Sequence, residues 1–112
     1  MKYSPILALC AAPAFADPAV VENVTIDGDR VSVTISHPDT GWDDYADGWE
    51  VLDADGNRLG YRELFHPHVE EQPFTRSLSG VTIPDGVTSV FIRARTNVDG
   101  WSDDLYEVKL TE

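Results

Sequence analysis

The sequence contains one cysteine, Cys10, which lies close to the start of the 112-residue chain. The remainder has no thiol for a disulfide, an iron–sulfur cluster, a thiolate zinc site or a nucleophilic cysteine. Without such cross-links, a small exported domain has to rely on packing or on a bound ion. A chain of this length can bury a modest hydrophobic core.

Positive charge is also scarce, with 8 Lys and Arg residues against 20 Asp and Glu, which gives a net charge of −12. Without the first 16 residues, which hold Lys2 and no acid, the balance is 7 − 20 = −13. A field of this sign repels nucleic acid and anionic membrane surfaces, so we expect neither as a partner. It attracts cations or a basic partner, and it also suits a salty medium.

A long apolar run occurs only at the beginning of the chain. Lys2 precedes an apolar stretch over residues 5–14, and Ala14-Phe15-Ala16 has the small-x-small form that signal peptidase accepts. The run is too short to anchor the chain across a bilayer. We predict a signal peptide over residues 1–16 and one domain over residues 17–112, exported to the periplasm or the extracellular medium. In the alternative, Cys10 is the acylated residue of a lipoprotein, although Leu9 stands where a small residue is expected.

Helical periodicity is missing from the rest of the sequence, which shows short runs of alternating apolar and polar residues. Val31, Val33 and Ile35, for example, alternate with serine and threonine. Seven runs separated by turn residues predict an all-β sandwich of immunoglobulin or fibronectin type III kind, with about seven antiparallel strands. Trp49 is expected in its core. The predicted strands are residues 20–26, 30–36, 49–53, 58–65, 74–83, 88–96 and 105–110.

Strands that run up and down in sequence order place alternate connections at opposite ends of the sandwich. One end then receives the tight glycine turns. The other end, which we call the loop pole, is formed by residues 37–48, 66–73 and 97–104. Long loops on a rigid sandwich are a common place for a binding site. The loop pole collects all three histidines, two tryptophans and a group of acids that includes these eight: Asp43, Asp44, Asp47, Glu70, Glu71, Asp99, Asp103 and Asp104.

Two of these loops resemble loops of known metalloproteins. The first has His37-Pro38 and then Asp44-Tyr45 before a strand, and the second reads "TNVDGW" over residues 96–101. This frame resembles the desulfoferrodoxins, or superoxide reductases, in which an immunoglobulin-like sandwich holds one iron with four histidines and a cysteine. The resemblance implies a metal-dependent redox protein with His37 as a ligand. Thr96 replaces the cysteine and Asp99 replaces a histidine, which puts that redox chemistry in doubt.

Two further resemblances concern the same region. The "SHPDTG" of residues 36–41 is similar to a loop of the sulfur-carrier subunit of the thiosulfate oxidation system, which shares the sandwich fold. The motifs "TGWDDYAD", "HPH" and "EQPFTRSLSG" resemble those of a group of small secreted bacterial proteins without an established activity. The first resemblance implies a sulfur-compound protein, and the second implies an exported sandwich.

The histidines of the loop pole suggest a metal site. His66 and His68 lie two residues apart and point to the same side of an extended segment. With His37 they offer three nitrogens for Cu²⁺, Zn²⁺ or Ni²⁺, and Asp44 or Asp99 completes the shell. Clustered aspartates suit Ca²⁺ instead. Alternatively, the histidines only hydrogen-bond main-chain carbonyls or water, and the acids form a solvated rim.

The aromatic residues of the same loops suggest a ligand platform. Trp42, Tyr45 and Trp101 offer flat surfaces for a sugar or a peptide. Alternatively, such residues cover the open end of a small core. No G-x-S-x-G motif or Ser-His-Asp arrangement is present, so we identify no catalytic residues.

These features together predict an exported, non-enzymatic binding module. Its candidate site is the loop pole, its candidate cofactor is a divalent metal ion (Cu, Zn or Ca), and its candidate partner is another exported protein or a cation. A metal-dependent redox or sulfur-compound protein of desulfoferrodoxin-like type is the first alternative. A structural or adhesive module without a small ligand is the second.

Overall fold

The computed structural model describes residues 17–110, which form eight antiparallel strands in two sheets. The predicted all-β sandwich is confirmed. The predicted signal peptide, with its alternative at Cys10, lies outside the described residues. Within residues 17–110 no helix is long and apolar enough to cross a membrane. The strands are β1 (Val20–Asp27), β2 (Arg30–Ser36), β3 (Ala46–Leu52), β4 (Arg58–Glu63), β5 (Phe74–Leu78), β6 (Ser89–Thr96), β7 (Gly100–Trp101) and β8 (Tyr106–Lys109).

The first sheet has the order β1-β2-β5. The alternation in β2 places Val31, Val33 and Ile35 in the core, where all three are buried. The polar residues between them face outward, and Ser32 and Thr34 form 2.7 Å hydroxyl–hydroxyl hydrogen bonds to the cross-strand residues of β5. The period-two pattern read from the sequence therefore gives the correct inner face.

The second sheet has the order β4-β3-β6-β7, and β8 also pairs with β6. β7 pairs with the end of β6 at Arg95 and Thr96, whereas β8 pairs with its first half, so both lie along the same edge. The predicted seventh strand, residues 105–110, corresponds to β8, and the same edge contains β7, which lies within the predicted loop 97–104. This edge strand is therefore in two pieces. Between the pieces the Ser102 N–H donates to the Ala94 carbonyl at 2.9 Å. Residues 103 and 104 lie in this break and not in a loop beyond the sheet.

The core lies between the inner faces of the two sheets. Trp49 is fully buried there, as expected for a large aromatic side chain on the third strand. Complete burial of a large apolar side chain contributes about 2–3 kcal/mol relative to leaving it exposed. The other buried apolar side chains that surround Trp49 come from both sheets and include Ile35, Val51, Phe74, Val90 and Ile92.

Strand order places three connections at each end of the sandwich, and residues 28–29, 53–57 and 79–88 lie at the end opposite the loop pole. The structure bounds the loops of the loop pole at residues 37–45, 64–73 and 97–99. At the opposite end, which we call the turn pole, Gly28 adopts a φ of 63° in the β1–β2 hairpin, as a tight glycine turn requires. Loop length does not separate the two poles as predicted, because residues 97–99 of the loop pole form a short connection and residues 79–88 of the turn pole form a long one.

Candidate functional site

Hydrogen bonds join the three loops of the loop pole. The Asn97 side chain accepts from the Tyr45 N–H at 2.9 Å and donates to the Trp42 carbonyl at 3.0 Å. Its main-chain N–H donates to the Tyr45 carbonyl at 3.2 Å. Gln72 links another pair of loops, since its side chain accepts from the His37 N–H and donates to the His68 carbonyl, both at 2.9 Å. The loops therefore form one connected surface.

Asp39 is the buried centre of this connection. Its carboxylate Oδ1 accepts from His37 Nδ1 at 2.6 Å and from the Ala46 N–H at 3.1 Å. Its Oδ2 accepts from the His68 N–H at 2.7 Å. One carboxylate thus holds the first loop, the start of β3 and the second loop together. A buried carboxylate is stable only when it is hydrogen-bonded and paired, and Asp39 meets both conditions.

His37 supplies the pairing charge. Nδ1 faces the Asp39 carboxylate, and Nε2 lies 3.0 Å from the Asp17 carbonyl oxygen and 3.6 Å from Asp44 Oδ1. Oxygen atoms of carboxylates and carbonyls accept, so with Asp39 ionised both ring nitrogens of His37 have to donate. That pattern is an imidazolium, which has no free lone pair for a metal ion. In this geometry His37 stabilises the loop structure.

His68 is buried in a different environment. Its ring stacks on Phe74 with a centroid distance of 3.9 Å and an interplanar angle of 11°. Arg76 Nη2 lies 2.8 Å from Nε2 and donates to it, which requires the neutral imidazole. Burial, and next the Arg76 charge, lower the pKa of His68 below its ordinary value of 6.5. Nδ1 of His68 is buried with no hydrogen-bond partner among the described residues.

The predicted metal ligands are only partly gathered. His66 is exposed, with its ring centroid 6.2 Å from that of His68. Asp44 approaches only His37, and Asp99 is exposed beyond a turn in which its N–H donates to Thr96 Oγ1 at 3.0 Å. Within residues 17–110 no group of three His, Cys, Asp or Glu side chains is placed to hold a metal ion. Metal binding at these residues stays a prediction.

The predicted aromatic platform is divided between two surfaces. Trp42 and Tyr45 form an edge-to-face pair at the loop pole, with centroids 5.6 Å apart. Trp101 lies on the outer face of the second sheet beside Tyr61, and the guanidinium carbons of three arginines lie 5.1–5.7 Å from its ring centroid. These arginines are Arg58, Arg93 and Arg95. Trp101 therefore packs in a cation–π cluster and not with Trp42.

Two acidic side chains neutralise that arginine cluster. Glu50 is 2% exposed and accepts from Arg58 Nε at 2.9 Å and from Arg93 Nε at 2.7 Å. Asp47 accepts from Arg95 Nε at 2.8 Å. The outer face of this sheet thus satisfies its own charges, which favours a structural role for it.

Large exposed apolar side chains are concentrated at the loop pole. Trp42, Phe65, Val69 and Val98 are 64, 60, 53 and 49% exposed, and all four lie in the three loops. The other large exposed apolar residues of the described chain lie on the strands or in the β7–β8 break: Val20, Tyr61 and Leu105. The sequence patterns did not identify Phe65, Val69 or Val98 as exposed, because the burial of an apolar loop residue depends on tertiary contacts.

An open groove adjoins the loop pole. It has a volume of about 480 Å³ and lies between the segment before β1 and the end of β2, where Pro18, Val20 and Pro38 form its apolar walls. His37 borders the groove with both ring nitrogens already hydrogen-bonded. The groove therefore extends the apolar surface without presenting a free acid–base group.

The protein is thus a β-sandwich of immunoglobulin or fibronectin type III kind, and its loop pole presents exposed apolar side chains. The chain is 46% identical over 70 residues to a protein of Halomicrobium mukohataei named "Putative lipoprotein". The match covers 62% of this chain and 34% of that relative, so it spans about a third of the relative's length. No protein-family model matches the sequence, and no solved structure matches it.

Proposed function

We propose that the protein is an exported, non-enzymatic binding module that uses its loop pole to bind another macromolecule. The observation that carries the proposal is the display of Trp42, Phe65, Val69 and Val98 at one end of the sandwich. Exposed apolar residues scattered singly are ordinary, but several gathered at one end of a small domain are typical of an interaction surface. Tryptophan and phenylalanine supply much of the binding energy at such surfaces.

The rigid support beneath these side chains favours binding. Asp39, Gln72 and Asn97 fix the three loops to one another and to the strands through hydrogen bonds of 2.7–3.2 Å. Loops that are already ordered lose little conformational entropy when a partner binds. The buried polar network therefore acts as the foundation of the binding surface.

Export is supported by the relative's name and by the start of the sequence. A lipoprotein is held at the cell envelope, and residues 1–16 have the composition of a secretory signal. The mass of the mature protein, isolated from the envelope of a producing cell, tests this proposal. Cleavage after Ala16 gives the mass of residues 17–112, whereas acylation gives a lipid-modified chain that begins at Cys10. Retention of the complete chain in the cytoplasm would contradict export.

Photo-crosslinking tests the loop pole as the binding surface. Benzoylphenylalanine replaces Phe65 at the loop pole or, in a control protein, Thr82, which is exposed at the turn pole. Irradiation of cells that export each protein is expected to yield discrete crosslinked species from position 65 and none from position 82. Equal crosslinking from the two positions, or none from position 65, would refute the proposal.

A further inference from the structure

We propose that the partner binds through a Lys- or Arg-rich amphipathic segment whose apolar side chains cover the loop pole; this inference rests on the proposed function. An alternating order of apolar and acidic side chains supports it. Trp42 is followed by Asp43, Val69 by Glu70, and Val98 by Asp99. Each of the three loops thus displays one such pair, and all six residues are exposed.

These acids have no cation of their own within residues 17–110. Two acids beside them are paired: Asp47, at the start of β3, with Arg95 at 2.8 Å, and Glu71 with Arg76 at 3.7 Å. Asp43, Glu70 and Asp99 form no ion pair with any described Lys, Arg or His. Their charges are therefore available to a ligand.

Desolvation determines which partner can cover this surface. A partner that packs on Trp42, Val69 and Val98 also takes water away from the acid beside each of them. An ionised carboxylate that loses water without gaining a cation or a hydrogen bond is strongly unfavourable. Lysine or arginine at the matching positions of the partner supplies that cation, and their long stems add apolar contact. A neutral apolar partner would leave three carboxylates buried and unpaired.

The same argument disfavours a second copy of this chain as the occupant. Two loop poles face to face would bring the same acids together, and each chain has a net charge of −12. Like-charge contact opposes association. The turn pole carries exposed acids as well, including Asp27, Asp55 and Asp85, but none of the large exposed apolar residues. Of the two poles, only the loop pole therefore combines exposed acids with large exposed apolar residues.

Two synthetic peptides test the inference. They have equal length and the same apolar residues in an amphipathic order, but one carries lysines and the other glutamates at the remaining positions. Binding of each labelled peptide is measured by fluorescence anisotropy at low and high salt. We expect the lysine peptide to bind at least about tenfold more tightly than the glutamate peptide at low salt. We also expect added salt to reduce that difference, because salt screens surface charges.

Matched variants separate the loop pole from the general negative charge. One triple variant removes the three acids beside the apolar residues, and the other removes an equal charge from the turn pole. The first is Asp43→Asn, Glu70→Gln and Asp99→Asn; the second is Asp27→Asn, Asp55→Asn and Asp85→Asn. We expect the first triple variant to bind the lysine peptide at least about tenfold more weakly than the wild type. We expect the same of the single variant Trp42→Ala. The second triple variant is expected to bind within about twofold of the wild type.

Three results would overturn the inference. An equal loss of affinity for the lysine peptide in both triple variants would show that the peptide is attracted to the negative charge of the whole chain. Equal binding of the two peptides would show that positive charge is not selected. Failure of the lysine peptide to bind would reject the basic amphipathic segment. If crosslinking from position 65 still succeeded, the loop pole would remain the binding surface and only the class of partner would be wrong. If that crosslinking failed too, the proposed function would fall with it.

Discussion

The Asp39 carboxylate accepts a 2.7 Å hydrogen bond from the main-chain N–H of His68, which lies 29 residues further along the chain. The other oxygen of the same carboxylate is bonded to the His37 ring. Two loops that the sequence separates by a whole hairpin are therefore fixed by one buried side chain.

Replacement of Asp39 should consequently destabilise the domain. Asp39→Asn keeps the size of the side chain but removes the charge that pairs with His37 and weakens the bonds to two main-chain N–H groups. Loss of one partner of a buried ion pair costs about 3–5 kcal/mol, and we expect a loss near the lower value because an amide oxygen still accepts. Urea unfolding measures it. Asp43→Asn, in the same loop but exposed, should change stability by less than about 0.5 kcal/mol. Equal midpoints for the two variants would show that Asp39 does not hold the loops.

The lowered pKa of His68 predicts a pH-dependent stability. The unfolded chain binds a proton at His68 near the ordinary pKa of 6.5, whereas burial and the Arg76 charge hold the folded pKa below it. The unfolded state thus binds more protons as the pH falls below 6.5, and the free energy of unfolding declines until the folded pKa is passed. Well above pH 6.5 His68 is neutral in both states, and its contribution to the free energy of unfolding no longer changes with pH.

Chemical denaturation at a series of pH values below 7 measures this decline, and a variant isolates it. His68→Gln has no titrating ring, so its stability should decline less over the same interval than that of the wild type. His66→Gln is the matched control. Because His66 is exposed, the free energy of unfolding of this variant should change with pH at the same slope as that of the wild type. Identical slopes in the wild type and His68→Gln would assign the pH dependence to other groups.

Much of the fold could be predicted from local sequence. The alternation of Val31, Val33 and Ile35 identifies the inner face of β2, and Gly28 identifies a hairpin, since both depend on neighbours along the chain. The split edge strand could not be predicted in this way. The division of that edge depends on pairing with two separate parts of β6, which no short window of sequence contains.

The end of the sandwich at which the histidines lie could be predicted from topology, but the contacts of each side chain could not. Topology correctly placed His37 and His68 at one end, yet their residue type suggested metal ligands. Burial and hydrogen-bonding partners determine what an imidazole does, and both come from tertiary contacts. Asp39 offered no signal at all, because an aspartate after His-Pro in a loop is usually solvated. Trp101 was misjudged for a related reason: it faces arginines from two other strands, and not Trp42.

The ion pair between Glu50 and Arg93 should contribute measurably to stability. Glu50 is buried, and Arg93 Nε and Nη2 approach its Oε2 at 2.7 and 2.6 Å. A double-mutant cycle with Glu50→Gln and Arg93→Met should give a coupling energy of about 1–3 kcal/mol. Glu107 and Lys109 form the matched exposed pair at 3.8 Å, for which we expect less than about 0.5 kcal/mol. Equal coupling energies would mean that burial of Glu50 does not strengthen its pairing.

Thermal unfolding with added ions tests the predicted metal site. An ion that binds only the folded chain raises the Tm by mass action, so metal-free protein is titrated with Cu²⁺, Zn²⁺ and Ca²⁺ in turn. The ring nitrogens of His66 are not engaged in the described hydrogen bonds, whereas Nδ1 of His68 carries the ring proton while Nε2 accepts from Arg76. A rise with Cu²⁺ or Zn²⁺ is therefore expected to disappear in His66→Ala and to persist in Asp99→Ala. A rise with Ca²⁺ alone, lost in Asp99→Ala, would place the ion on the acids instead. No rise with any of the three ions would refute metal binding, and the loop pole would then stand as a surface for macromolecules only.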